Sequence, residues 1–101
     1  MDHDELEKTI ETFTEARDTF AIGIEYLAAG VSSVQLFIQH VQRGTLEGPR
    51  HLPLLERAAD MLERGLPKLE AQPEVAAIAE GYIALVTQLT ELVGAEPSPE
   101  A

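Results

Sequence analysis

The chain has 101 residues, the length of a single domain, and carries 18 acidic against 7 basic residues for a net charge of −11. This charge would repel nucleic acid and anionic membrane surfaces, so we expect neither as a partner. The sequence contains no cysteine, which excludes disulfides, thiolate metal sites and a cysteine nucleophile. The acidic N-terminus is unlike a signal peptide, and we expect a cytoplasmic protein.

Residues 4–43 are predicted to form one long helix, because apolar residues recur there at alternating steps of four and three. Asp2 or Asp4 can cap its start, and Gly44 is expected to end it. Arg17 interrupts the apolar row, and two roles are open. Its aliphatic stem can pack while its guanidinium extends to an acidic residue, or it can set the register of a partner helix. The row otherwise consists of Leu6, Ile10, Phe13, Phe20, Ile24, Leu27, Val31, Val34, Ile38 and Val41.

The second half of this helix is apolar on more than one side and contains two glycines. Gly23 and Gly30 are seven residues apart, a spacing that allows another helix to approach closely. Gly30 is also compatible with the end of one helix, with Ser32 capping the next. The row passes Gly30 without a change of phase, so we favour one continuous helix. Residues 26–42 lack formal charge with His40 neutral, but their serines and glutamines favour a core helix over a membrane span.

A second helix is predicted over residues 53–65, after a loop over 44–50 that holds two glycines and a proline. Pro53 suits the first turn of this helix, because a proline there lacks an N–H that would be unpaired anyway. Gly65 and Pro67 are expected to end it. Its apolar row consists of Leu52, Leu55, Ala59, Leu62, Leu66 and Leu69.

A third helix is predicted over residues 74–94, opened by Pro73. Residues 67–72 form a connector that can hold one helical turn. We expect 1–94 to form a single domain and the proline-rich 95–101 to be an unstructured tail. The row of the third helix differs in phase from that of the second, and consists of Val75, Ile78, Tyr82, Leu85, Leu89 and Leu92.

These elements predict an all-α fold in which the long helix packs antiparallel against two shorter helices as a helical hairpin or bundle. Two helices cannot cover every apolar side of the first, so we expect a homodimer or higher oligomer to complete the bundle. The predicted interaction surface comprises the small and apolar residues beside the row: Ile22, Gly23, Ala28, Gly30, Leu36 and Phe37.

No motif for catalysis or for binding a nucleotide, metal or other cofactor occurs, so we expect no enzyme activity and no cofactor. Carboxylates are abundant, but the Glu-x-x-His motif of dimetal bundles is missing. His40 and His51 flank the loop and can approach each other, which leaves a zinc site as a minor alternative to two surface imidazoles.

We therefore interpret the chain as a non-catalytic adaptor, assembly factor or chaperone-like module that acts through apolar helix faces. Its expected partners are a second copy of itself and another protein. Two alternatives remain: a carboxylate-based metal-storage or oxidase bundle, and an acidic inhibitor that occupies a basic site on a target. Elemental analysis separates the first alternative from the module. The salt dependence of partner binding separates the acidic inhibitor from the module, because an inhibitor bound by charge loses affinity as salt rises.

Overall fold

The computed structural model describes residues 2–95, which form three α-helices and one short 3-10 helix. The α-helices are α1 (His3–Arg43), α2 (Gly48–Gly65) and α3 (Pro73–Ala95), and the 3-10 helix (Leu66–Leu69) follows α2 directly. No strand occurs among the described residues. The predicted all-α fold, with a long helix packed against two shorter ones, is confirmed.

The long helix α1 is continuous through Gly30, as the unbroken spacing predicts. Its start is capped by Asp2, whose carboxylate accepts a hydrogen bond from the backbone N–H of Asp4 at 3.0 Å. Gly44 ends it with a φ of 71°, a left-handed conformation that side chains with a Cβ rarely adopt.

The second helix begins earlier than predicted, at Gly48, so Pro53 lies inside α2 instead of opening it. Pro49 occupies the first turn, where its missing N–H costs nothing. The backbone N–H of Glu47 donates to Nδ1 of His51 at 2.9 Å, and the N–H of His51 donates to the Glu47 carbonyl at 2.9 Å. The imidazole thus caps a helix end that has no serine, threonine or aspartate cap.

The connector after α2 is confirmed as a short helical segment, since the 3-10 helix includes Leu66–Leu69. Gln72 donates its N–H to the Leu69 carbonyl at 3.0 Å, and α3 begins at the next residue, Pro73. The predicted tail over 95–101 lies outside the described residues apart from Ala95, which ends α3.

Two glycines of α1 mark where α2 and the 3-10 helix pack against it. A Cβ added to Gly30 would lie 2.7 Å from Cγ of Leu62, and one added to Gly23 would lie 2.8 Å from Cδ2 of Leu69. Both distances are shorter than a carbon–carbon contact allows. As the sequence number rises along α1 it falls along its neighbour, so the two run antiparallel.

A third glycine completes this close approach from the side of α2. A Cβ on Gly65 would lie 2.8 Å from Cβ of Tyr26 and 3.1 Å from the backbone oxygen of Gly23. These atoms belong to the α1 backbone or lie directly beside it, so they cannot rotate away. The glycines therefore serve close packing, one of the two roles that their spacing predicts.

The third helix reverses direction and runs back along α2, since the position of a Cβ on Gly48 is 3.4 Å from Cγ1 of Val93. The second half of the chain is thus itself a helical hairpin, formed by α2 and α3. Three helices share one core, whose buried residues are Val34, Phe37, Leu55, Ala58, Leu62 and Val86.

The first half of α1 extends beyond this bundle, which gives the molecule dimensions of 73 × 18 × 17 Å. We call residues 3–19 the arm. Every residue of the arm is exposed except Thr14, which is partly exposed. The arm is a helix of about 25 Å, at 1.5 Å per residue, that has no packed neighbour among the described residues.

Gly65→Ala and Gly81→Ala should change stability in opposite directions. At Gly65 the new methyl meets Tyr26 and the α1 backbone, so overpacking should lower the free energy of unfolding by about 1–3 kcal/mol. At Gly81, within α3, a Cβ meets nothing within 4 Å, so the gain in helix propensity should raise it by about 0.5–1 kcal/mol. Urea unfolding followed by circular dichroism measures both changes. Two equal effects would contradict the close approach of α1 and α2.

Candidate functional site

The structure divides the predicted interaction surface into a buried half and an accessible half. Gly23 and Gly30 are buried against Leu69 and Leu62 of the same chain. Phe37 is 1% exposed and belongs to the core of the bundle. These three are therefore not available to a partner. The accessible half consists of Ile22, Ala28 and Leu36, with Ile22 and Leu36 exposed by 44% and 48%.

The packing face of α1 is displaced around the helix from the predicted row. The buried residues at its centre are Gly23, Gly30, Val34 and Phe37, whereas Ile24, which is in the predicted row, is 38% exposed. Because the second half of α1 is apolar on several sides, three-four spacing alone fits more than one face. The glycines were the available signal, since α2 can approach closely only where α1 has no side chain.

A shallow groove of about 260 Å³ lies between α1 and α2 and includes the accessible Ile22. An open groove of this size suits the side chains of a docked helix better than an enclosed small molecule. Its lining is mostly apolar, with one carboxylate, and consists of Ile22, Glu25, Tyr26, Ala29 and Met61.

The arm carries a second accessible apolar surface, which we call the arm row and define as Leu6, Ile10 and Phe13. Their exposed fractions are 43%, 55% and 67%. Arg17 continues the row, and its Nη2 lies 3.4 Å from Oδ1 of its neighbour Asp18. Leu6, Ile10 and Phe13 of the predicted α1 row therefore have no packed neighbour among residues 2–95.

The third accessible surface, which we call the α3 row, comprises Ile78, Leu85 and Leu92. The sequence places these residues on the predicted core row of the third helix, but they are exposed by 53%, 37% and 58%. The helix packs through Ala79 and Val86, which are 0% and 2% exposed, and through the row members Tyr82 and Leu89. As in α1, an apolar side of the helix remains outside the bundle.

The two loop histidines come together, as their positions allow. Their rings stack with centroids 3.9 Å apart. Nδ1 of His40 lies 2.9 Å from Oγ1 of Thr45, and Nδ1 of His51 accepts the N–H of Glu47. The pair therefore joins the end of α1 to the start of α2. Within residues 2–95, no three His, Asp or Glu side chains converge in a way that could hold a metal ion.

Ion pairs among the described residues join positions close in sequence. The strongest by geometry is Arg64 with Asp60 at 2.9 Å, one turn apart on α2. The hydrogen bond and charge of Asp60, with a smaller contribution from Tyr26, raise the pKa of the Arg64 guanidinium. The helices are therefore held to one another by apolar packing, and their charges face outward.

Two helices are long and apolar enough to cross a membrane, namely the stretches His3–Arg43 and Pro73–Gly94. This is a test of length and composition, and core helices of water-soluble proteins and signal sequences pass it too. The expectation that the protein has no membrane partner therefore stays a prediction.

No family model, curated protein or solved structure gives a significant match to the chain.

Neighbouring residues Leu36 and Phe37 should respond very differently to truncation. Phe37→Ala removes a fully buried ring and should cost about 3–5 kcal/mol of unfolding free energy. Leu36→Ala removes an exposed side chain and should cost about 0.5 kcal/mol or less. Urea denaturation of the two variants, with helicity checked by circular dichroism, makes the comparison. A large loss for Leu36→Ala would show that this face is already covered.

Proposed function

We propose that the protein is a non-catalytic interaction module that pairs with a second copy of itself through the arm and presents further apolar helix faces to another protein. The observation that carries this proposal is the arm row. Phe13 is 67% exposed and lies in the arm, which has no packed neighbour among residues 2–95. Monomers rarely leave such a row uncovered.

The arm is stabilised locally, but local interactions are weak. Oγ1 of Thr9 donates to the Glu5 carbonyl at 2.8 Å, and Oγ1 of Thr12 donates to the Lys8 carbonyl at 3.0 Å. Isolated helices of about this length are marginal in water, and most helical stability in proteins comes from packing an apolar face. A partner helix along the arm row would supply that packing.

Antiparallel pairing of two arms gives a consistent alignment of their rows. Phe13 then lies opposite Phe13 of the second copy, Leu6 opposite Phe20, and Ile10 opposite Arg17. The stem of Arg17 packs beside the row, and its guanidinium extends to the acidic flank of the other arm. This alignment accounts for a cation in an otherwise apolar row, in the register-setting role that polar residues have in coiled coils.

Charge makes this association dependent on salt in a particular direction. The arm carries six carboxylates against Lys8 and Arg17, a net of −4 with His3 neutral. Two arms therefore repel each other at long range, and salt screens that repulsion. Pairing should strengthen as salt rises, whereas an acidic inhibitor bound to a basic site would lose affinity.

Replacing Ile10 and Phe13 together by serine should convert a dimer to a monomer. The two changes remove apolar area from the arm row and leave the three-helix core untouched. Sedimentation equilibrium at micromolar concentration measures the mass, and circular dichroism should retain the helicity of the bundle. Glu11→Gln is the matched control on the other side of the arm, and should leave pairing intact or strengthen it. A wild-type monomer at both low and high salt would refute self-association.

A further inference from the structure

The α3 row is an apolar side of α3 that the bundle does not cover. Ile78, Leu85 and Leu92 are spaced by seven residues, so they lie about 10 Å apart along one side of the helix at 1.5 Å per residue. Val86, next to Leu85 in sequence, is 2% exposed. The helix therefore packs by one side and shows a second apolar side to solvent.

The surface between the members of the α3 row is flat enough for a helix to lie against it. Gly81 is exposed between Ile78 and Leu85, and a Cβ added there would meet nothing within 4 Å. Packing within the chain therefore does not require a glycine there. Ala77 and Ala84 are exposed on the same side. Small residues in this arrangement allow a second helix axis to come close.

The charged side chains of α3 itself are of one sign. Helical periodicity places Glu74 in line with the row, one turn before Ile78, and Glu91 on its flank, next to Leu92. The sequence from 69 to 101 contains no lysine, arginine or histidine. The α3 helix therefore presents glutamates and no cation to an occupant of the row.

We propose that the α3 row binds a basic amphipathic helix of another protein, with apolar side chains against Ile78, Leu85 and Leu92 and with lysine or arginine against Glu74 and Glu91. This rests on the proposed function and names the chemistry of its partner. A second copy of the chain fits this surface less well, because its arm has a net charge of −4 and its α3 has no cation. Charge complementarity favours a cationic helix and raises its rate of association.

A synthetic helix of three heptads, with leucine along one side and lysine on the other, is the probe for this surface. Fluorescence anisotropy should show that it binds the full chain and that its affinity falls as salt rises. The same peptide with glutamate in place of lysine should not bind. Ile78→Ser combined with Leu92→Ser should weaken binding by about tenfold or more, since exposed apolar anchors are lost.

Two charge variants test whether the glutamates of α3 act specifically. Glu74→Gln with Glu91→Gln should weaken binding and reduce its salt dependence. Glu5→Gln with Glu11→Gln removes the same charge from the arm and should change the affinity by about twofold or less, because that charge lies beyond the screening length. Equal losses in the two variants would overturn the proposal, since diffuse acidity would then explain the binding.

Three further outcomes would also overturn it. If the variant with serine at residues 78 and 92 binds the peptide as well as the wild type does, the attraction is purely electrostatic. If the same variant sediments as a monomer where the wild type sediments as a dimer, a second copy of the chain covers the row. If the wild type binds neutral phosphatidylcholine vesicles and the variant does not, a lipid surface is the occupant. The arm variant with serine at residues 10 and 13 should still bind the probe, so failure of self-association and failure of this proposal are distinguishable.

Discussion

The close crossing of α1 and α2 is the contact on which the rest of the structure depends. Gly30 and Gly65 let the two helices approach until Leu62 fills the space that a side chain would occupy. Leu55 and Leu62 are fully buried as a result. No ion pair among residues 2–95 joins two helices, so burial and dispersion hold the crossing together. Because α3 lies on α2, any shift of this crossing would also move α3.

The unpaired arm follows from the lengths of the elements and not from its composition. The helix α1 has 41 residues, whereas α2 and the 3-10 helix together have only 22, from Gly48 to Leu69. The chain then turns back, so α3 covers α2 instead of continuing along α1. The row that begins at Leu6 has the same spacing as the packed half, but no element within residues 2–95 reaches it. Association through the arm would supply the helix that the topology leaves out.

The helix boundaries were predictable where the sequence offers a single residue suited to that helix end. Gly44 ends α1 and Pro73 opens α3, because a left-handed end favours glycine and a first turn tolerates proline. The start of α2 was misplaced because Pro49 and Pro53 both suit a first turn. The deciding interaction is the N–H of Glu47 donated to the ring of His51, and that cap has no recognised sequence signature. Sequence order alone also did not indicate that α3 reverses.

The candidate surface was half predictable for a related physical reason. Ile22 and Leu36 are accessible, but Phe37 is in the core. Periodicity identifies an apolar stripe, and it cannot choose among stripes when a helix is apolar on several sides. In α3 the packed side is rotated from the predicted row, so that Tyr82 and Leu89 pack against the core, Leu92 is exposed and Val86 is buried. In α1 the glycines mark the packed side, although they were predicted to face a second copy, and α3 has no glycine at its packed face.

Apolar rows and carboxylates together account for how such a surface can discriminate between partners. An apolar row binds any complementary row, so area alone gives affinity without selectivity. Acids along its flank add a cost to every partner of like charge, including a second copy of this chain. The arm retains Lys8 and Arg17 among its acids, whereas α3 has no cation. Under the two proposals the rows would therefore differ in which partner they exclude: the arm would pair with a second copy of the chain, and the α3 row would stay free for a basic helix.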